Sequence, residues 1–275
     1  MTYRAVIAVA LAGMRLLGLR RRVRGLEHVP ARGGAVLAVS HFSYLDFVLS
    51  GWLAWRRGHR LVRFLVTGAA FRHPVAGPLL RAMGHVPVSR DGGGPGGGGR
   101  GAGGGDAYRA AVARLRAGEL VGVFPESRVS RSFTLLPLRT GAARMAGQAG
   151  VPLVPVVVWG THRVSTRTHR TRLLRALGTP VEVRVGAPLH PGPDDDPAVV
   201  TARLRAAMEA LLAEAQAAYP VVPEPGAWWQ PAHLGGGAPT PEQAQALDAD
   251  DPVVQRERAR EDPHDRRPHR REATP

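Results

Sequence analysis

His41 and Asp46 stand five residues apart in VLAVSHFSYLD, Val36 to Asp46. A histidine held by a carboxylate is a general base with a fixed tautomer, able to take a proton from a hydroxyl group. On one continuous α-helix residues five apart diverge by about 140°, so the pair can meet only across a loop-to-helix junction. The sequence offers one. Ala35 to Val39 is a continuous apolar run, which suits a strand buried on both faces. Ser43 to Asp46 reads S-x-x-D, a capping box with Ser43 as the cap and Asp46 at the third helical position. This predicts a helix to about Arg57, with the carboxylate leaning back toward the strand end where His41 lies. Plain structural roles also suit these residues, Asp46 as a cap and His41 as the polar close of a strand.

Two more polar clusters follow apolar strands. Gly84 to Arg90, GHVPVSR, reads as a short or edge strand because of Pro87, and ends in Ser89 and Arg90. Leu120 to Phe124 is wholly apolar and runs into Pro125, Glu126, Ser127 and Arg128, with Ser130 and Arg131 beyond. In open α/β sheets ligands bind past the carboxyl ends of the strands, which puts His41, Arg90 and Glu126 on one rim. An arginine there would hold an anionic substrate group by paired hydrogen bonds. The chain has no cysteine, no GxSxG and no HExxH. Disulfides, thiol nucleophiles, serine hydrolases of the α/β type and zinc hydrolases of that motif are therefore disfavoured. The base must act on a substrate, as in base-assisted group transfer to a phosphorylated or carboxylated acceptor, with no metal and no resident cofactor expected.

The elements that must position these clusters alternate. A strand is expected over Leu61 to Val66, and a helix near Phe71 with His73 and Pro74 at its start and Gly84 at its end. Further helices are expected over Tyr108 to Ala117 and Thr140 to Gln148, a buried strand over Val151 to Trp159, and an alternating edge strand over Val181 to Val185. The class is α/β: a mixed, mainly parallel sheet covered by helices on both faces. Residues 25–190 form that domain, and an amphipathic helix over 197–219 packs on it. Asp91 to Asp106, DGGGPGGGGRGAGGGD, is a disordered insert rather than a phosphate cradle, because no GxxxxGK follows. The basic stretch from His162 to Arg175 reads as a solvated or membrane-facing loop.

The formal charge of +15 favours anionic partners, nucleic acid or an acidic membrane surface. All 37 basic residues are arginine, which looks like compositional bias, and no basic stripe with interleaved aromatics points to nucleic acid. In residues 1–24 the apolar run Ala5 to Met14 is too short to span a bilayer. With Arg15 and the cluster Arg20 to Arg24 behind it, it suits a helix lying in the membrane interface. A secretory signal would carry its positive charge first. Residues 220–275 are poor in apolar side chains and are expected to be a largely disordered tail, except that Trp228 and Trp229 should dock on the domain.

Two of these clusters match a family. His41 to Asp46 resembles the HxxxxD block of the glycerophospholipid acyltransferases, of the kind that acylates 1-acylglycerol 3-phosphate, and Phe124 to Glu126 resembles their FPE block. Gly84 to Arg90 is similar to the intervening block that ends in a substrate-binding arginine, and VPLVPVVV to the fourth block. The resemblance covers roughly Gly25 to Pro188. It implies acyl transfer from a thioester, acyl-CoA or acyl carrier protein as donor substrate, to a lysophospholipid hydroxyl, by a protein peripheral to the cytoplasmic face of the cell membrane. His41 would remove the hydroxyl proton, Asp46 orient the imidazole, Arg90 hold the acceptor phosphate, and Phe124, Pro125, Glu126 and Ser127 shape the acceptor site. The family commonly continues FPE with Gly-Thr-Arg-Ser, whereas Ser127, Arg128 and Val129 follow here. Valine thus stands at the family's arginine position, and Arg128 or Arg131 would take over the anion contact. Another lysophospholipid, glycerol 3-phosphate or an amino-acid lipid remains open as the acceptor.

Overall fold

The computed structural model describes residues 2–88, 102–167 and 177–251. Seven strands form one sheet: β1 (Arg20–Arg24), β2 (Ala35–Val39), β3 (Val62–Thr67), β4 (Val86–Val88), β5 (Leu120–Val123), β6 (Leu153–Trp159) and β7 (Pro180–Val185), in the order β1-β7-β6-β2-β5-β3-β4. From β6 to β4 every pair is parallel; β7 runs antiparallel to β6, and β1 parallel to β7. The sheet is mixed and mainly parallel, as its apolar runs require.

β2 lies at the centre. Val36 pairs with Val121 on one side and Leu153 on the other, so neither edge of the strand is open. Val36 and Ala38 pack with Leu115 of α5 (Ala102–Arg116), Ala146 of α6 (Gly141–Ala149) and Leu204 and Met208 of α7 (Pro197–Ala217). Ala35, Leu37 and Val39 face the other way, onto Met14 of α1 (Thr2–Leu16) and Leu49 and Leu53 of α2 (Asp46–Gly58). Helices thus cover both faces, and each fully buried Leu or Val stabilises the fold by about 1.5–3 kcal/mol.

Several elements depart from the sequence expectations. Val181 to Val185 is not an edge strand, because the cluster Arg20–Arg24 is itself a strand and pairs outside it. The alternating charges of β7 can be buried because Arg184 Nη1 lies 2.6 Å from Glu182 Oε2. The helix expected from His73 is instead two short ones, α3 (Gly68–Arg72) and α4 (Ala76–Ala82). They are divided at His73, whose Nδ1 accepts the amides of Val75 and Ala76. Helix α5 begins at Ala102, within the stretch expected to be disordered, while Asp91 to Gly101 lie outside the described residues.

The largest correction concerns the tail. Residues 220–251 are not disordered: they wrap onto the domain and end in α8 (Pro241–Ala249). The sequence signal for α8 is TPEQ, Thr240 to Gln243, with proline at the first helical position and a complete capping box between Thr240 and Gln243. Trp229 is buried, with the Arg163 guanidinium 4.5 Å from its ring centre, and Trp228 meets Phe133 edge-on. His162 is buried too, not part of a solvated loop. Its Nε2 lies 3.0 Å from the Trp229 carbonyl oxygen, and burial lowers its pKa to about 3, so it serves as a neutral donor. The rest of that basic stretch past Arg167, and residues 252–275, lie outside the described residues.

A candidate active site at the carboxyl ends of β2, β5 and β6

His41 follows β2, and its backbone is fixed on both sides by the loop after β5. The His41 N–H donates to Glu126 Oε1 at 2.8 Å, and the His41 carbonyl accepts from the Ser130 N–H at 2.8 Å. The imidazole stacks on Phe124, ring centres 4.0 Å apart and planes 22° apart. Phe124 in turn lies over Phe64, which comes close enough to β5 that a Cβ at Gly122 would meet its ring at 2.4 Å. A glycine in a central strand thus sets the height of the aromatic stack that carries the histidine.

Asp46 is fully buried at the first residue of α2. Half of the expected capping box forms. Asp46 Oδ2 accepts the Ser43 amide at 2.7 Å and the Phe42 amide at 2.8 Å, whereas the Ser43 hydroxyl accepts from Leu45 rather than from Asp46. The helix therefore starts three residues after Ser43, and the carboxylate still points back at the strand end. Thr161, just past β6, donates its hydroxyl to Asp46 Oδ1 at 2.6 Å. His41 Nδ1 lies 3.7 Å from Asp46 Oδ2, too far for a hydrogen bond, and has no other partner. Catalytic hydrogen bonds are often long before substrate arrives. Because Nδ1 is buried, the 17% exposure of the side chain belongs to the rest of the ring. A base oriented from one edge and open on the other can take a proton from a bound hydroxyl.

Glu126 ties the loops together rather than facing out. Its Oε2 accepts the Leu136 amide at 2.9 Å, and Arg205 donates to the Leu136 carbonyl at 3.0 Å. Burial pushes Glu126 up to about 8, and the Asp46 charge adds to this against the pull of its two amide bonds. Both Glu126 oxygens are taken up by loop amides, so Asp46 is the acidic side chain that faces the imidazole. Pro125 is buried, and its carbonyl accepts from the Arg139 amide; both residues hold the loop. Val129, at the family's arginine position, is buried in the core.

Ser127 occupies a left-handed conformation, φ 62°, in a turn closed by its own N–H to the Phe124 carbonyl. This is where the family pattern has glycine, and a side chain there costs about 1–2 kcal/mol. Ser127→Gly is expected to stabilise the chain by about 1 kcal/mol and raise Tm by about 2–4 °C in a thermal melt. An unchanged or lower Tm would show that the serine's own contacts offset the strain.

The structure thus brings His41, Asp46, Phe124 and Glu126 together, with Arg128 and Arg131 on the same loop as Glu126, while Arg90 lies outside the described residues. Sequence reasoning missed Thr161 and Arg167 as site residues. The rule that singled out the ends of β2 and β5 applies equally to β6, and would have found Thr161. Ser43 Oγ donates to the Ser165 carbonyl and Thr166 Oγ1 to the Phe42 carbonyl, which ties the segment carrying Arg167 to the catalytic loop. Among the described residues no cluster of histidine and acidic side chains could hold a metal ion.

Comparison with known proteins relates this geometry to a family. Residues 20–159 match the family model described as Acyltransferase. The 1-acyl-sn-glycerol-3-phosphate acyltransferase of Bacillus subtilis is 25% identical over 170 residues, covering 60% of this chain and 77% of that protein. A chloroplastic protein of that name from Brassica napus is 28% identical over 143 residues, covering 52% of this chain but 38% of its own length. The crystal structure of the 1-acyl-sn-glycerophosphate acyltransferase from Thermotoga maritima superposes with a TM-score of 0.61 over 79% of this chain and 81% of that one, at 19% identity, so it has the same fold.

Proposed function

Because the chain belongs to the acyltransferase family, we propose that it moves a fatty acyl group from acyl-CoA or acyl carrier protein to the free hydroxyl of 1-acylglycerol 3-phosphate, giving phosphatidic acid. His41 takes the hydroxyl proton as the hydroxyl oxygen attacks the thioester carbonyl. The tetrahedral adduct collapses, the C–S bond breaks, and the proton held on His41 goes to the departing thiolate. Asp46 orients the imidazole and stabilises its protonated form, as a buried carboxylate does beside any such base.

The observation that carries this reading is the His41–Asp46 pair past β2, whose histidine backbone is bonded to Glu126 and Ser130 of the loop that also carries Arg128 and Arg131. A lipid substrate fits two further features. An apolar cleft between α1 and α2, lined by Ile7, Leu11, Met14, Phe47, Val48 and Trp52, opens next to Asp46 in sequence. Helix α1 buries Tyr3, Ile7 and Met14 on the domain and leaves Arg4, Val9, Arg15 and Leu16 outward, a face suited to the lipid interface. Among the described residues no helix is long and apolar enough to cross a membrane. We propose that this outward face of α1 seats the chain on the cytoplasmic surface of the cell membrane.

The test is acyl transfer by the full chain in detergent with labelled acyl-CoA or acyl carrier protein, and 1-acylglycerol 3-phosphate, glycerol 3-phosphate or a zwitterionic lysophospholipid as acceptor. Phosphatidic acid from 1-acylglycerol 3-phosphate at the highest kcat/KM is expected. Faster transfer to another acceptor, or no product from any combination, would overturn the assignment.

A further inference from the structure

The rim arginines already have partners. Arg131 donates from Nε to Asp248 Oδ1 at 2.7 Å and from Nη2 to Asp251 Oδ2 at 2.5 Å. Arg167 Nη2 donates to the same Asp251 oxygen at 2.7 Å, and its Nη1 is 3.7 Å from Asp248 Oδ1. Arg128 Nη1 lies 3.4 Å from Asp248 Oδ2. Asp248 has 5% of its side chain exposed and Arg131 12%, so these pairs are largely withdrawn from water.

Their position follows from the chain. Arg131 is next to Ser130, whose amide is bonded to the His41 carbonyl, and Arg167 is next to Thr166, whose hydroxyl is bonded to the Phe42 carbonyl. Arg128 is two residues from Glu126, which accepts the His41 amide. The segments that carry the three arginines are thus each bonded, within one or two residues, to the loop of His41 and Phe42.

Helix α8 is held there by charge. Its buried side chains are Ala244 and Asp248, and Leu247 is exposed, so little apolar surface keeps it in place. Asp248 also sits in the last turn, where the helix dipole disfavours a negative charge. The arginines, not the helix, account for it. Two forked donors, Arg131 and Arg167, around two carboxylate oxygens at 2.5–2.7 Å, with Arg128 3.4 Å from a third oxygen, make an arrangement that also suits a phosphate.

We propose that Arg128, Arg131 and Arg167 form a binding site for a phosphate monoester dianion, and that Asp248 and Asp251 occupy it in the unliganded chain. The segment Pro241–Asp251 is then a latch that the acceptor's phosphate displaces. This rests on the acceptor reading above and adds to it Arg167 and the competing carboxylates.

Amide hydrogen exchange of the full wild-type chain tests it without any substitution. Three arms share one ionic strength, because salt alone loosens ion pairs: chloride, inorganic phosphate, and 1-acylglycerol 3-phosphate in detergent against detergent alone. Protection over 242–251 should fall by about tenfold or more with the lipid. An equal response to inorganic phosphate shows that the ion suffices; a response to the lipid alone shows that its acyl chain must deliver the phosphate. Unchanged protection in both arms overturns the latch. In kinetics, the double variant Asp248→Asn with Asp251→Asn should lower KM for the acceptor by about tenfold and leave KM for the thioester as it was, since more of the chain is open to the acceptor. A raised acceptor KM would place the carboxylates inside the acceptor site and overturn the latch. If the chain does not acylate 1-acylglycerol 3-phosphate at all, the acceptor reading fails, while the exchange response to inorganic phosphate still reports on the arginine site.

Discussion

His41→Ala lowers kcat for acyl transfer by about 10²- to 10⁴-fold, the range expected for loss of a positioned general base. The fold should tolerate the change. The bonds that tie this residue into the rim run through its backbone, to Glu126 and Ser130, and alanine keeps both. What goes is the stack on Phe124, worth about 0.5–1.5 kcal/mol. Product formation at saturating donor and acceptor, measured beside a thermal melt, separates the two effects. A variant that melts like wild type and retains activity within tenfold would mean that some other group takes the hydroxyl proton.

Asp46→Asn is the sharper substitution, because the carboxylate does two jobs. It accepts two loop amides and the Thr161 hydroxyl, and it faces the imidazole. The carboxamide oxygen can still accept from Phe42 and Ser43, and its NH₂ can donate to the Thr161 oxygen, since a hydroxyl both donates and accepts. The loop therefore survives and the charge is lost. We expect kcat to fall by about 10²- to 10⁴-fold with Tm nearly unchanged. Asp46→Ala, by contrast, strands buried donors at about 1–3 kcal/mol each and should lower Tm as well. Full activity in a stable Asp46→Asn chain would reduce Asp46 to a loop anchor.

The centre of the sheet was legible because it is redundant: Ala35 to Val39, Leu120 to Phe124 and Val151 to Trp159 are apolar at every position, and only a strand covered on both faces needs that. His41, Asp46 and Glu126 were legible from their places just past those runs. The elements misread are those whose fate depends on a distant partner. Arg20 to Arg24 has no strand signature of its own; it becomes one because β7 offers a free edge to pair with. Glu182 and Arg184 read as a solvent face until their mutual pairing is known. The tail after Tyr219 reads as disordered by composition, yet Trp229 on Arg163 and Asp248 among arginines hold it down, and no local pattern encodes arginines that lie more than 60 residues away in the chain. The paired tryptophans, expected to dock, and the capping box at Thr240 were there to be read.

The two outermost strands bear on how the molecule behaves in a crowded solution. β1 presents Arg20, Arg22 and Arg24 to solvent, so a second copy approaching to extend the sheet there would bring like charges together. At the opposite margin β4 carries Pro87, which has no N–H to offer. Neither margin is a good template for another chain. A protein with this much β-branched, wholly apolar strand sequence is thereby protected against stacking into fibrils, and its rim stays open to lipid instead of to its own kind.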